Sequence, residues 1–127
     1  MKRQLDQVAI WHDKFLCFNG THPTTKVPTS AEMRHRIMAE ENNEYLAAAQ
    51  RGDCAGVLDA LGDQLFVLLG TILTHGMQDV IEEAFDRITA SNMTKLGDDG
   101  LPYVRPDGKI LKGPNFVPPV LEDLVNG

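Results

Sequence analysis

Glu40-Glu41-Asn42-Asn43-Glu44, then Asp59-Ala60-Leu61-Gly62-Asp63, is the stretch that decides the fold. Its five carboxylates fall into two clusters fifteen residues apart. At 100° per residue, Glu40, Glu41 and Glu44 cover an arc of about 100° on one helix, and Asp59 and Asp63 lie one turn apart on another. Gly52 stands between the helices and Asp53 can cap the second, so the pair is expected to be antiparallel neighbours. Ile37 and Ala48 adjoin the glutamate arc, which places it toward the interior or its edge. Asp63 sits among Leu61, Leu65 and Phe66, and an ionised aspartate is rarely buried without a partner. Like charges this close repel one another unless a cation lies between them. Oxygen ligands without cysteine or histidine point to magnesium, with manganese as a substitute, and away from zinc. An acidic face turned to solvent is the alternative for the glutamates taken alone.

Outward from this pair the pattern stays helical. Residues 4 to 16 carry Leu5, Val8, Ala9, Trp11, His12, Phe15 and Leu16 at roughly helical spacing. Asn19-Gly20, Pro23 and Pro28 then enforce a loop. Thr29-Ser30-Ala31-Glu32 reads as a capping box with Thr29 as N-cap, opening a helix over about 31–50. The helix over about 54–75 is apolar nearly all round, as expected of a central helix or one shared with a partner subunit, and Gly76 stops it. A fourth helix is expected over about 79–95, with Ile81, Ala84, Phe85 and Ile88 in its stripe. Asn92 and Lys95 continue that stripe, turned inward and suited to phosphate oxygens. The last thirty residues, rich in Gly and Pro, give no helix; a hairpin around Pro106-Asp107-Gly108-Lys109 is expected. The fold class is all-α: one domain over 1–127, a four-helix bundle over about 4–95 with a non-helical tail over 96–127.

Composition narrows the function. The chain has 127 residues and a formal net charge of −6, which disfavours nucleic acid and acidic membrane surfaces. The apolar run Leu65–Leu73 is expected to be too short to span a bilayer. No signal-peptide pattern follows the charged start, and Cys17 and Cys54 read as reduced thiols, so a cytoplasmic protein is expected. His12, His22, His35 and His75 show no ligand spacing. Trp11, Phe15 and Phe18 are aromatics that either pack in the core or stack on a base.

The two acidic motifs followed by Ser91-Asn92-Met93-Thr94-Lys95 resemble the MazG-like all-α nucleoside triphosphate pyrophosphohydrolases, a superfamily that includes phosphoribosyl-ATP pyrophosphohydrolases and dimeric dUTPases. Asp107-Gly108-Lys109-Ile110-Leu111-Lys112-Gly113-Pro114 is similar to the end of a phosphoribosyl-ATP pyrophosphohydrolase-like subgroup. The resemblance covers roughly residues 31–120. The second motif of that superfamily carries an acid three residues before its last aspartate, where this chain has Ala60. Asp59 replaces it directly, acts through a water, or supports the site. The resemblance implies a hydrolase that converts a nucleoside triphosphate into monophosphate and pyrophosphate. It implies metal ligation by Glu41, Glu44, Asp59 and Asp63, with Glu40 or Glu41 as the base. Phosphate contacts then fall to Asn92 and Lys95, with Lys109 and Lys112 as a lid or as ordinary surface lysines. Arg36 either joins the substrate contacts or pairs with Glu40. A homodimer or homotetramer is expected. Phosphoribosyl-ATP hydrolysis and a non-catalytic metal-binding protein of the same fold are the rival readings.

Overall fold

The computed structural model describes residues 1–126. The chain forms α1 (Lys2–Lys14), α2 (Ala31–Gln50), α3 (Cys54–Thr74), α4 (Ile81–Met93), a hairpin of β1 (Tyr103–Val104) and β2 (Ile110–Leu111), and α5 (Glu122–Val125). It is all-α with a largely non-helical C-terminal tail. It divides into two compact units, Met1–Asp79 and Val80–Gly127, so α4 groups with the tail.

In the first unit α2 and α3 run antiparallel, joined by three residues. Arg34 near the start of α2 reaches Thr71 and Val67 late in α3. Further along α2, Asn42 accepts from Gln64 at 2.9 Å. The cap of α2 is Ser30, one residue later than the capping-box reading: its Oγ accepts from Met33 N at 3.0 Å. Asp53 caps α3 as expected, accepting from Gly56 N at 2.9 Å. α1 ends two residues early because Leu16 adopts φ +60°, a left-handed conformation that breaks the helical run.

Leu5 and Val8 of α1, Ala48 of α2, and Ala60, Leu69, Ile72 and Leu73 of α3 form the core. The loop after α1 is pinned to the end of α3: Gly20 N donates to Leu73 O at 2.7 Å, and Thr24 N to His75 O at 3.0 Å. Gly76 (φ +66°) permits this, since a Cβ there would lie 2.1 Å from the His22 carbonyl oxygen.

α3 departs from its expected setting. Leu58, Leu61, Leu65 and Leu68 are 73%, 46%, 47% and 48% exposed, so the leucine stripe beside Asp63 is uncovered in the single chain. The apolar run Leu65–Leu73 lies within a 21-residue helix that is long and apolar enough to cross a membrane by length and composition alone. Asp63 near its middle would cost about 3 kcal/mol in a bilayer, and the α3 backbone already receives Arg34.

In the second unit, Ser91 Oγ donates to Val117 O at 2.6 Å and Thr94 Oγ1 accepts from Val117 N at 2.8 Å. Arg87 holds Asp123 with bonds of 2.7 and 3.1 Å. That clamp accompanies the one turn of helix that the tail was not expected to have. The hairpin is as expected, with Tyr103 paired to Leu111 and Val104 to Ile110, and Gly108 turning at φ +91°.

Candidate metal centre

The antiparallel packing of α2 and α3 brings Glu41, Glu44 and Asp63 together: each offers a carboxylate oxygen, all within 4.8 Å of one another. Glu41 and Glu44 come from one face of α2, three residues apart, and Asp63 faces them from α3. Glu41 is half-buried. Its Oε2 is shielded from solvent and has no hydrogen-bond partner. A buried carboxylate oxygen left unmatched costs free energy that a native fold normally avoids. Burial pushes the Glu41 pKa up, followed by repulsion from Glu44 and Asp63, a hydrogen bond with Glu44, and repulsion from Asp59. Among the described residues no cation answers this charge within the trio.

These residues fit a hard divalent cation. The donors are all carboxylate oxygens, they converge, and the one that is buried lacks a partner. Glu41, Glu44 and Asp63 are thus brought together as the sequence reading expects. Asp59 is outside the converging trio, although its charge reaches Glu41. Ala60, where the motif would carry an acid, is 2% exposed and packs in the core. Glu40 and Arg36 are exposed and lie outside the trio.

Four expected phosphate contacts belong to the second unit. Asn92 is exposed rather than turned inward; its neighbour Ser91 is the buried residue. Lys95 lies beyond the end of α4, where its carbonyl accepts from Gly113 N at 3.0 Å. Lys112 Nζ sits 4.8 Å over the Phe116 ring. Lys109 follows the hairpin turn, its amide donating to Asp107 at 3.1 Å.

Two buried polar residues escape the motif reading. Arg34 is 7% and His12 2% exposed. Arg34 lies seven residues before Glu41, two turns back on the same inward stripe. That register was the available signal, and an arginine there with no acid opposite was its peculiarity.

A family model described as phosphoribosyl-ATP pyrophosphohydrolase matches residues 18–92, more than half of the chain. The chain belongs to this family. It is a nucleotide pyrophosphohydrolase, a metal-dependent hydrolase acting on phosphoric anhydrides. No curated protein matches the chain. Both acidic motifs and Asn92 fall inside the matched span, and the tail falls outside it.

Proposed function

We propose that the protein is a magnesium-dependent nucleoside triphosphate pyrophosphohydrolase that releases a nucleoside monophosphate and pyrophosphate. The unpartnered, buried Oε2 of Glu41 beside Glu44 and Asp63 carries this reading. Glu41, Glu44 and Asp63 would hold Mg²⁺, or Mn²⁺ in its place, with Asp59 as a further acid nearby. Once bound, the ion neutralises phosphate charge and makes a bound water more acidic.

The chain's own residues supply positioning and proton transfer. Water oxygen bonds to the α-phosphorus, the α–β anhydride bond breaks, and pyrophosphate leaves with the bonding pair. The water proton passes to Glu40 or Glu41. Arg36, Asn92, Lys95, Lys109 and Lys112 are proposed to bind phosphate oxygens, the two tail lysines after Lys112 leaves Phe116. The leucine stripe Leu58, Leu61, Leu65 and Leu68 is proposed as the seam of a homodimer, or of a dimer of dimers in the cytoplasm.

Pyrophosphate release from canonical and modified triphosphates, with Mg²⁺ or Mn²⁺, tests the reading. Wild type should turn over at least one triphosphate and Asp63→Ala none. A second reading, phosphoribosyl-ATP as substrate, is favoured by the family description. It takes the place of the first if that compound alone is cleaved.

A further inference from the structure

One helical turn from the carboxylates, toward the start of α2, the first unit has a pocket of about 250 Å³ whose walls include Trp11, Ile37, Phe66 and Val67. Ile37 is four residues before Glu41, and Val67 is four after Asp63. The pocket is therefore about 6 Å from the acidic trio along the helix pair. Trp11 and Phe66 meet edge to face at 5.3 Å between ring centres. They are 39% and 37% exposed, so packing in the core does not account for either ring. Pockets for drug-sized ligands span about 300–1,000 Å³. This one is smaller and suits one ring system of a nucleotide rather than the whole of it.

The polar residues of the lining, Arg34, His12 and Cys17, are already engaged within the chain. Arg34 Nε donates to Thr71 Oγ1 at 3.0 Å and its Nη2 to Val67 O at 2.9 Å. His12 Nδ1 faces Asn19 Oδ1 at 3.0 Å and the Phe18 carbonyl at 3.3 Å. Cys17 Sγ donates to Phe15 O at 3.8 Å. A Cβ on Gly70 would lie 2.7 Å from Arg34 Nη2 and 2.9 Å from His12 Nε2, so both nitrogens are seated against the α3 backbone rather than against the cavity. Arg34 Nη1 makes no bond among the described residues, and it can only donate. A lone donor finds an acceptor on every base: a keto oxygen on uracil or hypoxanthine, a ring nitrogen or carbonyl on cytosine or adenine.

We propose that this pocket receives the nucleobase through apolar contact and responds to the size of its ring, not to the hydrogen-bonding pattern of its edge. Strong selection between keto and amino bases requires buried polar groups that the wrong base leaves unmatched. Here the chain itself matches those groups. What remains is contact area, and a purine removes more surface from water than a pyrimidine. Contact between a base and aromatic side chains tolerates any base, since each has a π-face. The protein therefore accepts keto and amino nucleotides alike, purines ahead of pyrimidines. The inference rests on reading the carboxylates as the reaction centre, one turn away, where the phosphates of such a nucleotide lie.

Trp11 is the one tryptophan of the chain and reports on the pocket directly. Uridine, cytidine, inosine and adenosine are titrated against the full-length protein without metal, following Trp11 fluorescence. Inosine and adenosine should agree in affinity within about fivefold, as should uridine and cytidine, and each purine should bind more tightly than either pyrimidine. Phe66→Ala should weaken all four by a similar factor, about fivefold or more, while circular dichroism shows the helices intact. A keto–amino difference above fivefold overturns the proposal, as does a pyrimidine that binds as tightly as a purine. So does unchanged binding in a folded Phe66→Ala protein; if that variant fails to fold, the wild-type comparison decides alone. No response of Trp11 to any nucleoside also overturns it, and emission that instead changes with protein concentration would make a second copy of the chain the occupant. Nucleoside binding of the expected kind by a protein that cleaves no nucleotide would keep the pocket and remove the reaction centre. Cleavage without any Trp11 response would do the reverse.

Discussion

Two charged side chains share the inward face of α2, two turns apart, and the fold treats them oppositely. Arg34 is buried with its partners built in, a threonine hydroxyl and a backbone carbonyl of α3. Glu41 is half-buried among Glu44 and Asp63, with one oxygen that no group among the described residues answers. Burial lowers the Arg34 pKa, yet the group remains a cation; burial and like charges raise that of Glu41. The first charge is satisfied by the protein. The second is stored at a cost, and such a cost persists where a ligand removes it.

Breaking the acidic end should give the largest effect. Glu41→Gln keeps the shape of the side chain and removes its charge. Pyrophosphate release should fall on the order of a hundredfold or more, while the metal-free protein keeps or gains thermal stability, because a repulsive charge has gone. A loss of both activity and stability would mean that Glu41 supports the fold rather than the reaction.

The same asymmetry predicts the response to pH. A carboxyl whose folded pKa lies above its unfolded value favours the folded state when protonated. That contribution is complete below the unfolded pKa and lost as pH rises through the folded one. Metal-free protein should therefore become more stable as pH falls from 7 toward 5. Below about pH 4 the trend should reverse, as Asp53, Asp107 and Asp123, whose pKa values are held down by hydrogen bonds, become protonated. Saturating Mg²⁺ should raise stability near pH 7 and flatten the upper part of the curve. Thermal unfolding with and without chelator at each pH measures this. A curve unaltered by Mg²⁺ or by Glu41→Gln would dissociate the trio from cation binding.

At the arginine end, Gly70→Ala is the sharper probe. The added methyl group would press on Arg34 Nη2 and His12 Nε2. Both belong to buried side chains with little room to give. Overpacking of this kind costs about 1–3 kcal/mol, measurable by urea unfolding. The Mg²⁺ response should survive, since the trio is two turns away along α2. A neutral Gly70→Ala would show that Arg34 can swing aside and is not held as the hydrogen bonds suggest.

Much of this contrast was legible in the residues, but not its balance. The spacing Glu40-Glu41-x-x-Glu44 against Asp59–Asp63 fixed which helices face each other, because two short acidic patterns and a three-residue connection leave little freedom. Local sequence could not rank the five acids. Asp59 and Asp63 are one turn apart, and the rotation of α3 alone decides that Asp63 converges and Asp59 does not. Local sequence gives no sign of Arg34's burial, since a lone arginine on a helix usually reaches solvent; its burial depends on Gly70, thirty-six residues away. The apolar stripe of α4 does not continue inward to Asn92, because Ser91 is the position the tail covers through Val117. Long-range packing, not helix propensity, sets each of these positions.

The smallest effect belongs to a residue that touches neither charge. Ser30 caps α2 through its bond to Met33 N, and its carbonyl receives Arg34 N at 3.3 Å. Ser30→Ala should cost about 1 kcal/mol, seen as a lower urea midpoint with an unchanged slope. Mg²⁺ affinity should remain at the wild-type value, because the later turns of α2 are fixed by their packing on α3. If Mg²⁺ affinity fell along with stability, the first turn of α2 and the carboxylates three turns on would be coupled. The two ends of the helix would then be one cooperative site rather than a satisfied charge and a stored one on the same scaffold.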